Sequence, residues 1–117
     1  MPGMTREEAI SMLRRYRRAV YRYNPKFIIF TKQNAMFRTC VYGKFLVDEM
    51  IQKIRYSDKD PIKVVYGIYS NLDWILGESD DDHFETHRFA ALMEHEAGNI
   101  LRYLKTIEKE QNEDAKN

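Results

Sequence analysis

The stretch RRYRRAVYRY, Arg14 to Tyr23, holds five arginines and three tyrosines in ten residues. Guanidinium groups grip phosphates through forked pairs of N–H donors, and an exposed aromatic ring stacks on an unpaired base. On a helical projection Arg14, Arg15, Arg17, Arg18 and Arg22 share one side, and Tyr21 falls among them. That composition fits a nucleic-acid surface. It also fits the solvated face of a bundle helix whose arginines pair with acids elsewhere in the chain. Lysine would serve such a face equally well, and between Arg6 and Tyr23 every cation is Arg. Reversal of Arg17 and Arg18 to Glu is the substitution expected to abolish phosphate binding while leaving the fold intact.

Two further clusters have the residue types for chemistry. Asp80, Asp81, Asp82, His83, Glu85, His87, Glu94, His95 and Glu96 crowd one region. His83 and His87 are four apart, so on a helix they share a face and form a weak candidate metal pair. The next positions on that face, 90 and 91, are both Ala, and Glu94 lies about 10 Å further along the axis. No metal or other cofactor is therefore assigned. Arg88 and His95 are separated by six residues. This pair resembles the Arg-x4-6-His signature of HEPN-family ribonucleases, which are helical bundles. The resemblance covers two residues and implies that Arg88 and His95 would act together on an RNA phosphate and a 2′-hydroxyl. Where that family often has a polar residue after the Arg, this chain has Phe89.

Other catalytic patterns are missing: no Gly-rich phosphate loop, no Cys-x-x-Cys and no nucleophile elbow. The single cysteine, Cys40, falls on an apolar stripe and reads as a small buried residue. No catalytic residue is assigned.

These side chains need elements to hold them. The 117 residues suit one domain with a real core, and five Gly with three Pro favour long helices. Thr5-Arg6-Glu7-Glu8 is a capping box that opens a helix over 5–23. Ala9, Met12, Leu13, Tyr16, Ala19, Val20 and Tyr23 form its apolar stripe, and Asn24-Pro25 ends it. FIIF, at 27–30, reads as a short extended piece or an apolar plug. A second helix, over 31–56, carries the stripe Met36, Cys40, Val47, Met50, Ile51 and Ile54.

Asp60-Pro61 starts a third helix, 60–76, with the seam Ile62, Val65, Tyr69, Leu72 and Leu76, and Gly77 stops it. A fourth runs over 83–108, with Phe89, Leu92, Met93, Ile100, Leu104 and Ile107 inward and the tail 109–117 frayed. The expected fold is an all-α, compact four-helix bundle with short connections. Val41, Phe45 and Trp74 lie off the apolar seams. They are either covered by another segment of the chain or form an interface, such as that of a homodimer.

The net charge of +1 hides a split: residues 1–63 carry 14 Lys and Arg against 6 Asp and Glu, and residues 64–117 carry 5 against 12. FIIF is far too short to cross a membrane, and MPGMTREEA has no apolar leader, so a cytoplasmic location without membrane contact is expected. Met4 is an alternative first residue to Met1.

The leading expectation is a non-enzymatic helical binding module whose arginine face meets nucleic acid or a nucleoprotein. The size and charge split also resemble accessory proteins of bacteriophages and mobile elements. Some of these inhibit host defence nucleases, as anti-CRISPR proteins do, and others act as regulators. That resemblance implies an acidic or nucleoprotein partner reached by protein–protein contact. An enzyme, either a HEPN-like ribonuclease or a hydrolase using a metal, is the third class.

Overall fold

A computed structural model describes residues 3–22, 35–78 and 84–116 of the chain, with the side chains of 35–38, 78, 84–86, 115 and 116 left aside. The expected extended piece at 27–30 and the start of the second helix at 31–34 lie outside the described residues. The same holds for Tyr23, the acidic run 80–82 and His83.

The described chain forms four helices and no strand: α1 (Arg6–Val20), α2 (Ala35–Arg55), α3 (Pro61–Glu78) and α4 (Phe84–Lys116). It is an all-α four-helix bundle. Arg6 meets Asp58 and Arg17 meets Asp48, so α1 and α2 run antiparallel. Tyr16 stacks near Tyr103 and Tyr21 reaches Glu96, which sets α4 antiparallel to α1.

The starts of α1 and α3 have local causes. Thr5 Oγ1 accepts a hydrogen bond from the Glu8 backbone N–H at 3.1 Å, which caps α1 as the capping box predicts. Pro61 opens α3, where its missing N–H is no loss, and the Asp60 carbonyl accepts from Val64 N–H at 3.1 Å. Between α2 and α3, Ser57 Oγ accepts from the Lys59 N–H at 3.1 Å and holds the turn.

The core follows the predicted stripes closely in α2, where Cys40, Val47, Met50, Ile51 and Ile54 are all buried. Ala9 and Leu13 come from α1, Ile62 and Val65 from α3, and Met93, Ile100 and Leu104 from α4. Small residues let the helices close up. A Cβ on Gly98 would sit 3.4 Å from the Tyr69 ring, so α3 rests directly on α4 there. Cys40 is a free thiol, buried among apolar neighbours. It is expected to resist an exposed-thiol reagent in the folded protein and to react fully once the protein is denatured, which a colorimetric thiol assay reads directly.

Three boundaries differ from expectation by more than one residue. The third helix runs through Gly77 to Glu78 instead of stopping at 76, because Gly77 keeps ordinary helical geometry and does not turn left-handed. The first helix ends at Val20 rather than at 23, because Tyr21 turns out of helical geometry (φ −105°, ψ 43°) while its N–H still donates to the Arg17 carbonyl. That turn leaves Ala19 and Val20 exposed, although the stripe predicts them buried. The fourth helix runs on to Lys116 instead of fraying at 109. Beyond Gly98 the sequence has no Gly or Pro, and its last turns are rich in Glu, Lys, Gln and Ala, which favour helix. Glu108, the last residue of the predicted span, accepts from the Met4 N–H at 3.4 Å, tying the N-terminal segment to α4. Phe89, predicted inward, is 43% exposed and packs edge-on against Tyr42.

Gly67 lies in mid-helix on α3, exposed, with no atom of the described residues outside its own helical turn within 4 Å of where a Cβ would stand. Gly67→Ala is therefore expected to raise stability by about 0.5–1 kcal/mol, read as a higher denaturation midpoint.

Candidate nucleic-acid interface

Of the arginines in the opening stretch, the structure separates those that hold the fold from those that face outward. Arg17 is half-buried and spans to α2: its Nη2 donates to Asp48 Oδ2 at 3.2 Å, and its Nε lies 3.1 Å from Asp48 Oδ1. A forked pair of this kind, partly exposed, contributes about 0–1 kcal/mol. Arg6 makes a looser, exposed pair with Asp58 at 3.2 Å. Both acids come from α2 and the turn after it, within the basic half of the sequence.

Arg14, Arg15, Arg18 and Arg22 are exposed, and none has an ion-pair partner among the described residues. Arg14 and Arg18 stand one turn apart on α1. Across from them, the last turn of α2 presents Arg55. These three line one shallow groove between α1 and α2, together with Ile10, the exposed Ser11 and Glu7. A second concavity adjoins it, where Arg14 and Arg55 meet the Arg17–Asp48 pair. Three guanidinium groups converging without a bound carboxylate form a cationic trough suited to an anionic backbone.

Tyr21 does not belong to this surface. The projection that puts it among the arginines assumes that α1 continues, and the chain leaves the helix at that residue. Its ring enters the core, 1% exposed, and its hydroxyl donates to Glu96 Oε1 at 2.5 Å. Glu96 is the one buried acid among the described residues. Tyr16 lies edge-on to Tyr21, with centroids 5.8 Å apart, and tilts against Tyr103 at 5.0 Å. Burial first, and then the hydrogen bond to Glu96, hold the Tyr21 phenol protonated far above its ordinary range. Burial and the nearby Glu96 also raise Tyr16. The ring lies against Gly43 of α2, where any Cβ would overlap it. The arginine surface thus has no Tyr21 ring for base stacking.

The remaining candidates stay apart. His87 and Arg88 are exposed on α4, and His95 is exposed two turns on, about 10 Å along the axis from Arg88. The structure does not bring Arg88 and His95 together on one phosphate. His83, the other half of the metal pair, lies outside the described residues, and among those residues no three His, Cys, Asp or Glu side chains gather to hold an ion. No helix among the described residues is long and apolar enough to cross a membrane. Val41, Phe45 and Trp74 are all well exposed, Phe45 and Trp74 at 64% each, and none is covered by the described chain.

Sequence reasoning did not find Arg55. Its signal was present as one of two cations in the final turn of α2, opposite an arginine-rich α1, but which side of α2 faces α1 is decided by packing. Comparison of the chain with protein-family models, with curated protein sequences and with solved structures finds no match.

Proposed function

We propose that the chain is a non-enzymatic binding module that holds the phosphate backbone of a nucleic acid, alone or in a nucleoprotein, against the α1–α2 arginine surface. The observation that carries the proposal is the convergence of Arg14, Arg18 and Arg55 on one groove, exposed and without an ion-pair partner among the described residues. Arg15 and Arg22 extend the same positive field, and Arg17, already held by Asp48, braces the wall between the helices.

The mechanism is neutralisation of phosphates with release of their condensed counterions. The guanidinium forks fix the backbone and read no base edges. With Tyr21 in the core, its ring is not available for stacking, which favours an unspecific grip on backbone over recognition of splayed bases. Fluorescence anisotropy of labelled duplex DNA and single-stranded RNA at about 50 mM salt tests the reading, with dissociation constants in roughly the micromolar range expected. Retained capture of an acidic protein after nuclease treatment, with no binding to either nucleic acid, would assign the same arginines to a protein partner instead.

A further inference from the structure

A further concavity lies on a different side of α2, lined by residues of α2, α3 and α4. It is an open groove of 680 Å³. Its floor is apolar, built from Leu46, Ile68, Leu72 and Met93. Phe45 and Phe89 stand at one end, 64% and 43% exposed. The other end is basic, with Lys53, Lys59 and Lys63 beside the ring of Tyr56, which is 82% exposed. Lys53 is engaged by Glu49 at 3.5 Å, whereas Lys59 and Lys63 have no ion-pair partner among the described residues. Both also border the neighbouring cleft that holds Asp58, Asp60 and Glu108. None of these groove residues belongs to the α1–α2 trough.

Gly67 supplies an independent observation. It lines this groove, and a Cβ there would meet nothing within 4 Å among the described residues outside its own helical turn. The fold gains nothing from a glycine at this exposed mid-helix position, where it weakens the helix. A second backbone approaching α3 closely would need it. From Phe45 near the middle of α2 to Tyr56 just past its end, the groove wall spans eleven helical steps, about 16 Å. That length matches about three turns of a docked helix.

We propose that the α2–α3 groove receives an acidic amphipathic helix from a partner protein. Its apolar side chains would seat against Phe45, Phe89 and the Leu46–Ile68–Leu72 floor, and its carboxylates would meet Lys59 and Lys63. Apolar anchors at i, i+4 and i+7 give such a complex its affinity, and the charged end fixes its direction.

The test uses the full chain and a fluorescein-labelled synthetic helical peptide of about 14 residues, with Leu at those three anchor positions and Glu at one end, beside a twin with Lys for Glu. The Glu peptide is expected to bind at least about tenfold more tightly than its twin. Phe45→Ala and Gly67→Gln are each expected to weaken it at least about tenfold. Gly67→Gln should melt no lower than the parent protein, so its loss of binding cannot come from unfolding. Arg14→Glu with Arg18→Glu should leave peptide binding unchanged, which separates this groove from the nucleic-acid surface. No binding, equal binding of the two peptides, or full binding by Gly67→Gln would overturn the proposal. So would a dimer in sedimentation velocity that Phe45→Ala dissolves, since that would give the groove to a second copy of the chain.

Discussion

Reversing Arg14, Arg18 and Arg55 to Glu together is expected to lower affinity for duplex DNA at least about a hundredfold while leaving the thermal midpoint nearly unchanged. The first half follows from number and convergence. Each guanidinium that leaves a phosphate removes a charge-assisted contact of about 1.5–3 kcal/mol, and each Glu adds repulsion. The second half follows from exposure, since none of the three has an ion-pair partner among the described residues. The pair suggested by sequence, Arg17 with Arg18, is a poorer test. Arg17→Glu would set a carboxylate against Asp48 and disturb the α1–α2 contact, so lost binding could be lost packing. Single reversal of Arg18, compared with single reversal of Arg17, should show the contrast in melting curves: little change for the first, a lower midpoint for the second.

The second large effect concerns the core. Tyr21→Ala is expected to destabilise the fold by about 3–5 kcal/mol, because it empties a fully buried aromatic site and strands the Glu96 carboxylate without its donor. Gly43→Ala reaches the same place from the other side. In an open helix that change stabilises by about 1 kcal/mol. At Gly43 the new methyl would overlap the Tyr21 ring, so a net loss of about 1–3 kcal/mol is expected. The opposite signs at Gly43 and Gly67, read in one set of urea denaturation curves, isolate the ring contact from helix propensity.

The protonation of Tyr21 adds a pH signature. A phenol in the unfolded chain ionises near 10, whereas in the folded protein burial and Glu96 keep Tyr21 protonated well above that. The folded state therefore binds its proton more tightly. The stability this gives is fully present below pH 10 and is lost as pH rises beyond it. Ultraviolet titration should show part of the tyrosine ionising only as the helix signal collapses, and Tyr21→Phe should reduce that part.

The helices were legible because their signals are local. Thr5, Glu8 and Pro61 act within one turn, and the apolar stripe of α2 repeats at the helical period even with Val41 and Phe45 lying off it. What was not legible depended on where a helix stops and on what lies across from it. The projection of α1 carried Tyr21 to the arginine side because Asn24-Pro25 placed the stop too late, by three residues. The clue was on another helix. Glu96 sits three residues after Met93 and four before Ile100, on the buried stripe of α4. A buried acid needs a buried donor, and a tyrosine with room beside a glycine such as Gly43 supplies one. Grouping Glu96 with the exposed acids of its neighbourhood hid that requirement. The arginine surface was half legible: its type and density stood in the sequence. The removal of Arg17 by Asp48 and the addition of Arg55 are properties of the α1–α2 interface.

The salt dependence of DNA binding tests the central claim most directly. With the three groove arginines on phosphates, log K against log salt should fall with a slope of about −2.7, a loss of roughly fortyfold between 50 and 200 mM. The Arg14, Arg18 and Arg55 reversal should flatten that slope. Binding that is absent at 50 mM salt, or that is insensitive to salt and to those reversals, would contradict the account and return the arginines to the role of a solvated helix face.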